Sequence, residues 1–155
     1  MSAICVLVAD NYHARIFEAV GHTGSLRERK TILCPEARLR ARELGLDTSS
    51  STFNSIGDNT SQSKHRTKDK MDIKQQQSIR FASDIVKQLQ QSRKTNPFSS
   101  LILTAPPSFL GTLRKKLDGN LRDCISYELD KKLTHLSADD IRHHLPKILP
   151  NSVAR

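Results

Sequence analysis

The chain has 155 residues, and its 25 Lys and Arg against 16 Asp and Glu leave a formal charge of +9; the length suits one domain, and the charge favours anionic partners such as RNA, ribosomes or anionic lipid. Hydrophobic residues make up 36% of it, enough for one core with some stretch left outside. No apolar run approaches the roughly 18 residues of a membrane span, no basic residue precedes the N-terminal run as a cleaved secretion signal would require, and the scattered Cys5, Cys34 and Cys124 read as buried thiols of a cytoplasmic protein.

Ala3 to Ala9 (AICVLVA) is a nearly continuous apolar run, the pattern of a strand covered on both faces. Asp10-Asn11 supplies turn chemistry, and His13 to Val20 reads as a second strand. After a turn at Gly21 to Gly24, Leu26 to Cys34 (LRERKTILC) is a third strand, charged enough to sit at an edge. Pro35 opens a short helix through Leu44 that carries Arg38, Arg40 and Arg42, with Gly45 placed to stop it. Leu46 to Asp72 is polar, follows no period of 2 or 3.6, and is expected to be a long mobile loop.

From Ile73 to Gln91 the residues Ile79, Ala82, Ile85, Val86 and Leu89, with Phe81 beside them, mark one buried face of a long helix. Asn96-Pro97 breaks it, and Phe98 to Ala105 supplies a fourth strand. Pro106-Pro107-Ser108 starts a helix with Leu110, Leu113 and Leu117 on one stripe, closed by Asp118-Gly119, and a fifth strand runs from Cys124 to Leu129. Ser137-Ala138-Asp139-Asp140 resembles a capping box, with Leu136 and Ile141 placed as its hydrophobic staple, so a last helix begins near Ala138 and ends before Pro146. This order predicts an α/β fold with a mixed five-stranded sheet, a three-strand antiparallel meander extended by two parallel strands through helical crossovers. Residues 1–146 form the single domain, with its loop at about 46–72, and 147–155 form a loose tail.

Lys64 to Arg80 is the strongest chemical feature. Lys64, Arg66, Lys68, Lys70, Lys74 and Arg80 face only Asp69 and Asp72, and such a basic segment leading into a helix can track phosphates through salt-dependent, sequence-neutral contacts. No aromatic interleaves these charges to stack on bases. Parallel first, fourth and fifth strands would bring Asp10, Ser108, Asp130 and Lys131 to one edge, where open α/β sheets bind ligands; the amides after Pro107 could receive an anion there.

A metal nuclease would need several carboxylates around its ions, and of the acids present only Asp10 and Asp130 share an end of the sheet. The six histidines show no metal-ligand spacing, and neither a nucleophile elbow nor a glycine-rich phosphate loop is present. No catalytic residue, metal or cofactor is assigned.

Leu7-Val8-Ala9-Asp10 with Ala14-Arg15-Ile16-Phe17-Glu18, Pro35-Glu36-Ala37-Arg38-Leu39 with Glu43-Leu44, Ala105-Pro106-Pro107 followed by Leu110-Gly111 and Leu113-Arg114, and Leu129-Asp130-Lys131-Lys132-Leu133-Thr134 occur in this order. Together they resemble the bacterial host attachment protein family, from about Ile4 to Leu145. That family is similar in turn to the middle domain of archaeal and eukaryotic class I peptide-chain release factors. The resemblance implies a ribonuclease H-like fold and, before the long helix, a loop that in release factors carries Gly-Gly-Gln to the peptidyl transferase centre. Here the loop holds one glycine, Gly57, and one glutamine, Gln62. The motif is therefore missing, while docking on RNA or ribosomes stays open.

Three readings follow. The first is a non-catalytic RNA- or ribosome-associated domain using Lys64, Arg66, Lys68, Lys70 and Lys74. The second is a cytoplasmic protein-interaction factor, acting indirectly in attachment, whose partner binds a sheet edge or the Arg38-Arg40-Arg42 helix. The third is a hydrolase built on the Asp10 and Asp130 edge. Oligomeric state has no signal in the sequence.

Overall fold

Strand β1 (Ala3–Ala9) is buried from Ile4 to Ala9, as an apolar run without polar alternation requires. In the computed structural model, which describes residues 3–19, 21–36 and 63–150 (backbone alone for 63–71), it forms the centre of a five-stranded sheet ordered β3-β2-β1-β4-β5. Strands β2 (His13–Ala19) and β3 (Leu26–Leu33) pair antiparallel, while β4 (Phe98–Thr104) and β5 (Ile125–Leu129) extend the other side in parallel. Gly21, at φ 78°, supplies the left-handed residue of the β2–β3 turn. The mixed α/β sheet expected from the sequence is the one observed.

The period-2 alternation of β1 divides the core into two. Cys5, Leu7 and Ala9 pack with Ile16, Leu103 and the long helix α1 (Ser63–Thr95), through Phe81, Ala82, Ile85 and Leu89, and with α2 (Pro107–Lys116), through Phe109, Leu110 and Leu113. Ile4, Val6 and Val8 pack with Phe17, Ile102, Leu133 and Ile141, the last on α4 (Ala138–His144). Helices therefore cover both faces of β1.

Helix α1 starts at Ser63, ten residues before the start expected at Ile73, so the second part of the expected loop is helical. Its first turns are rich in Lys and Gln and free of Gly and Pro, which favours helix on propensity alone. They show no apolar period, and residues 72–76, which follow them, are exposed. Ile79, expected inside, is 36% exposed.

The sequence also misses α3 (Gly119–Cys124), whose N-cap Asp118 accepts a 2.8 Å bond from the Leu121 amide. Pro35 and Glu36 are helical; the rest of the helix expected through Leu44, with Arg38, Arg40 and Arg42, and the part of the expected loop at 46–62 lie outside the described residues.

The expected loose tail is docked as far as Pro150. Leu149 is buried, its amide donates to the His22 carbonyl at 2.8 Å, and the Pro150 carbonyl accepts from Ser100 Oγ at 2.8 Å. Arg142 reaches the carbonyls of Gly24, Pro146 and Lys147 at 2.7 to 2.9 Å. Four residues with one large apolar anchor thus become the rim of the second core, while 151–155 lie outside the described residues.

Candidate functional site

Asp10 directly follows β1 and is buried, which an aspartate tolerates only when its oxygens are satisfied. Its Oδ1 accepts from the amides of Tyr12 (2.7 Å) and His13 (2.8 Å), closing the β1–β2 turn, and its Oδ2 accepts from Thr134 Oγ1 at 2.5 Å. Burial pushes its pKa up, but the bonds from Thr134, His13 and Tyr12 and the nearby His13 ring outweigh it, and the carboxyl sits below its ordinary value.

The segment after β5 is held from a second side. Arg15 donates to the carbonyls of Thr134 (3.1 Å) and Leu136 (2.5 Å) and to Glu28 on β3 (2.7 Å), while the His13 ring lies 3.2 Å from the Thr134 carbonyl. The Arg15 hydrogen bond is the largest cause holding the Glu28 carboxyl below its ordinary value. This polar cluster is a clasp between the β1–β2 turn and the post-β5 loop, with both Asp10 oxygens engaged.

On the other side of the sheet, between α1 and α2, lies a groove of about 590 Å³ lined by Lys74, Gln75 and Ser78 of α1, Ser108, Phe109, Gly111, Thr112 and Lys115 of α2, and Asn11 of the β1–β2 turn. Helical spacing produces it. Ser108, Thr112 and Lys115 share one side of α2 while Phe109, Leu110 and Leu113 are buried. On α1, Ser78 stands one turn before the buried Phe81 and Ala82, and Lys74 one turn before Ser78. Among the described residues, two ammonium groups, hydroxyls and carboxamides surround the groove and no carboxylate lines it. Such a lining suits an anion that also takes hydrogen bonds.

The structure brings together two residues that the sequence assigned to separate sites, Lys74 of the basic run and Ser108 of the sheet-edge crevice. It does not bring Asp10, Asp130 or Lys131 to their groove: Asp10 belongs to the clasp, and Asp130 and Lys131 are exposed after β5. Lys64, Arg66, Lys68 and Lys70 fall in the first turns of α1, with their side chains outside the described residues. Sequence reasoning missed Lys115, Thr112, Gln75 and Asn11. The spacing of Ser108, Thr112 and Lys115 was the available signal, hidden by the leucine stripe of the same helix.

Among the described residues, no group of three or more His, Cys, Asp and Glu is placed to hold a metal ion, and no helix is long and apolar enough to cross a membrane. The family model described as "Protein required for attachment to host cells" matches residues 5–145. Among solved structures, the chain is similar to the archaeal translation termination factor aRF1, with 10% identity and a TM-score of 0.41, over 81% of this chain and 29% of that one. No curated protein matches it.

Proposed function

The chain belongs to the family of proteins required for attachment to host cells, and from that premise we propose that it is a non-catalytic domain that binds RNA or ribosomes. The observation that carries this reading is the groove between α1 and α2, where Lys74 and Lys115 stand among hydroxyls and carboxamides with no carboxylate among the described lining residues. It lies on the helix whose first turns hold Lys64, Arg66, Lys68 and Lys70. In a chain of charge +9, that combination supports phosphate contact through counterion release.

Co-sedimentation with ribosomes at low and high salt tests it, beside a variant carrying Lys64→Gln, Arg66→Gln, Lys68→Gln and Lys70→Gln. The expected result is association that weakens with salt and is lost in the variant, each neutralised phosphate contact flattening the salt dependence by roughly one logarithmic slope unit. Absence of association at low salt would remove the reading.

A protein partner at the β3 edge is the second reading. It is favoured by the exposure of Arg27 to Thr31 on a strand that pairs only with β2 among the described residues. A hydrolase using Asp10 and Asp130 has less support, since both Asp10 oxygens are engaged within the clasp.

A further inference from the structure

Tyr12 is 41% exposed, whereas Phe17, Phe81, Phe98 and Phe109 are buried and Tyr127 is half-buried. It directly follows Asn11, a lining residue of the groove, so an exposed aromatic stands one residue along the chain from the lining of a basic groove. Its backbone is fixed from two directions: its amide donates to Asp10 Oδ1 at 2.7 Å and its carbonyl accepts from the Cys34 amide at 2.9 Å. The ring thus stands on an ordered turn. A basic groove with an exposed aromatic one residue from its lining can hold a backbone phosphate while a neighbouring base stacks.

Resting on the RNA-binding reading above, we propose that the groove is specific for single-stranded RNA, with a backbone phosphate held by Lys74 and Lys115 and an adjacent base stacked on Tyr12. Ser108, Thr112 and Asn11 supply hydrogen bonds to the same phosphate or to the ribose hydroxyls. A duplex offers the phosphates but keeps its base faces stacked inside, so it can use the lysines and not the tyrosine. A groove of about 590 Å³ is within the range that holds small-molecule-sized groups, which suits one or two nucleotides of a passing strand.

The test uses the full chain and a short labelled oligouridine, with a self-complementary RNA hairpin as the duplex. Anisotropy should give tighter binding to the single strand. Tyr12→Ala should weaken it by about tenfold, Tyr12→Phe should keep it because the ring and not the hydroxyl stacks, and Lys115→Gln should weaken it and reduce its salt dependence. With two tyrosines and no tryptophan in the chain, a Tyr127→Phe background leaves Tyr12 as the emitter, and its fluorescence should be quenched by the single strand.

Equal binding of hairpin and single strand, or unchanged affinity in Tyr12→Ala, overturns the proposal. If the single strand binds in Tyr12→Ala as in the parent but not in the variant lacking the four α1 cations, RNA binding stands and the stacking site falls. If the parent binds neither RNA, this proposal falls, and the reading beneath it stands or falls with the ribosome co-sedimentation.

Discussion

Asp10 and Thr104 show two treatments of a buried polar group on one sheet. Asp10 is satisfied three times over, and a carboxylate accepting bonds from two amides and a hydroxyl is costly to remove because its donors stay behind unpaired. Asp10→Ala is expected to lower unfolding free energy by about 2–4 kcal/mol at neutral pH, measured by urea denaturation. Because the folded-state pKa is depressed, the carboxylate contributes its stability above the unfolded value of about 3.9 and loses it as pH falls through the folded one. The gap between parent and variant should therefore narrow in strong acid. Thr104, fully buried on β4, has no hydrogen-bond partner for its Oγ1 among the described residues. Thr104→Val keeps the shape and removes that unsatisfied group, so its unfolding free energy should stay level or rise by about 1 kcal/mol.

At the level of elements, what was legible in the sequence followed from local pattern. The apolar run of β1 gave its central place, the charges of Leu26 to Leu33 gave β3 its edge, and Ser137 does cap α4, accepting from the Asp140 amide at 3.2 Å. What was not legible depended on contacts between distant segments or on helix without burial. The first turns of α1 are helical by propensity with no apolar period to announce them. The groove needs α1 and α2 side by side, so Lys74 and Lys115 cannot be joined by spacing alone. Lys147 to Pro150 looked loose because the partners that fix them, His22 and Ser100, lie far away in the chain. Leu149→Ala should lower stability by about 2–5 kcal/mol in urea denaturation, whereas a free tail would show no change.

Across the whole molecule the two faces divide the work, with the clasp and docked C-terminal segment on the α4 side and the basic groove on the α1–α2 side. Lys115→Gln, at an exposed groove position, should leave thermal unfolding within about 0.5 kcal/mol of the parent, so that a binding loss there is not mistaken for instability. The central position of β1 also governs the order of assembly. Its antiparallel partner β2 follows at once through a tight turn, but its parallel partner β4, whose Ile102 lies opposite Val6, emerges from synthesis only after the whole of α1. Until then one edge of the most apolar strand stays open, and the closing step joins residues with a large separation along the chain, which slows folding. Refolding in stopped-flow experiments should thus be slower than for a helical bundle of the same size, and the nascent chain should depend on chaperones most in the interval between the release of β1 and the arrival of β4.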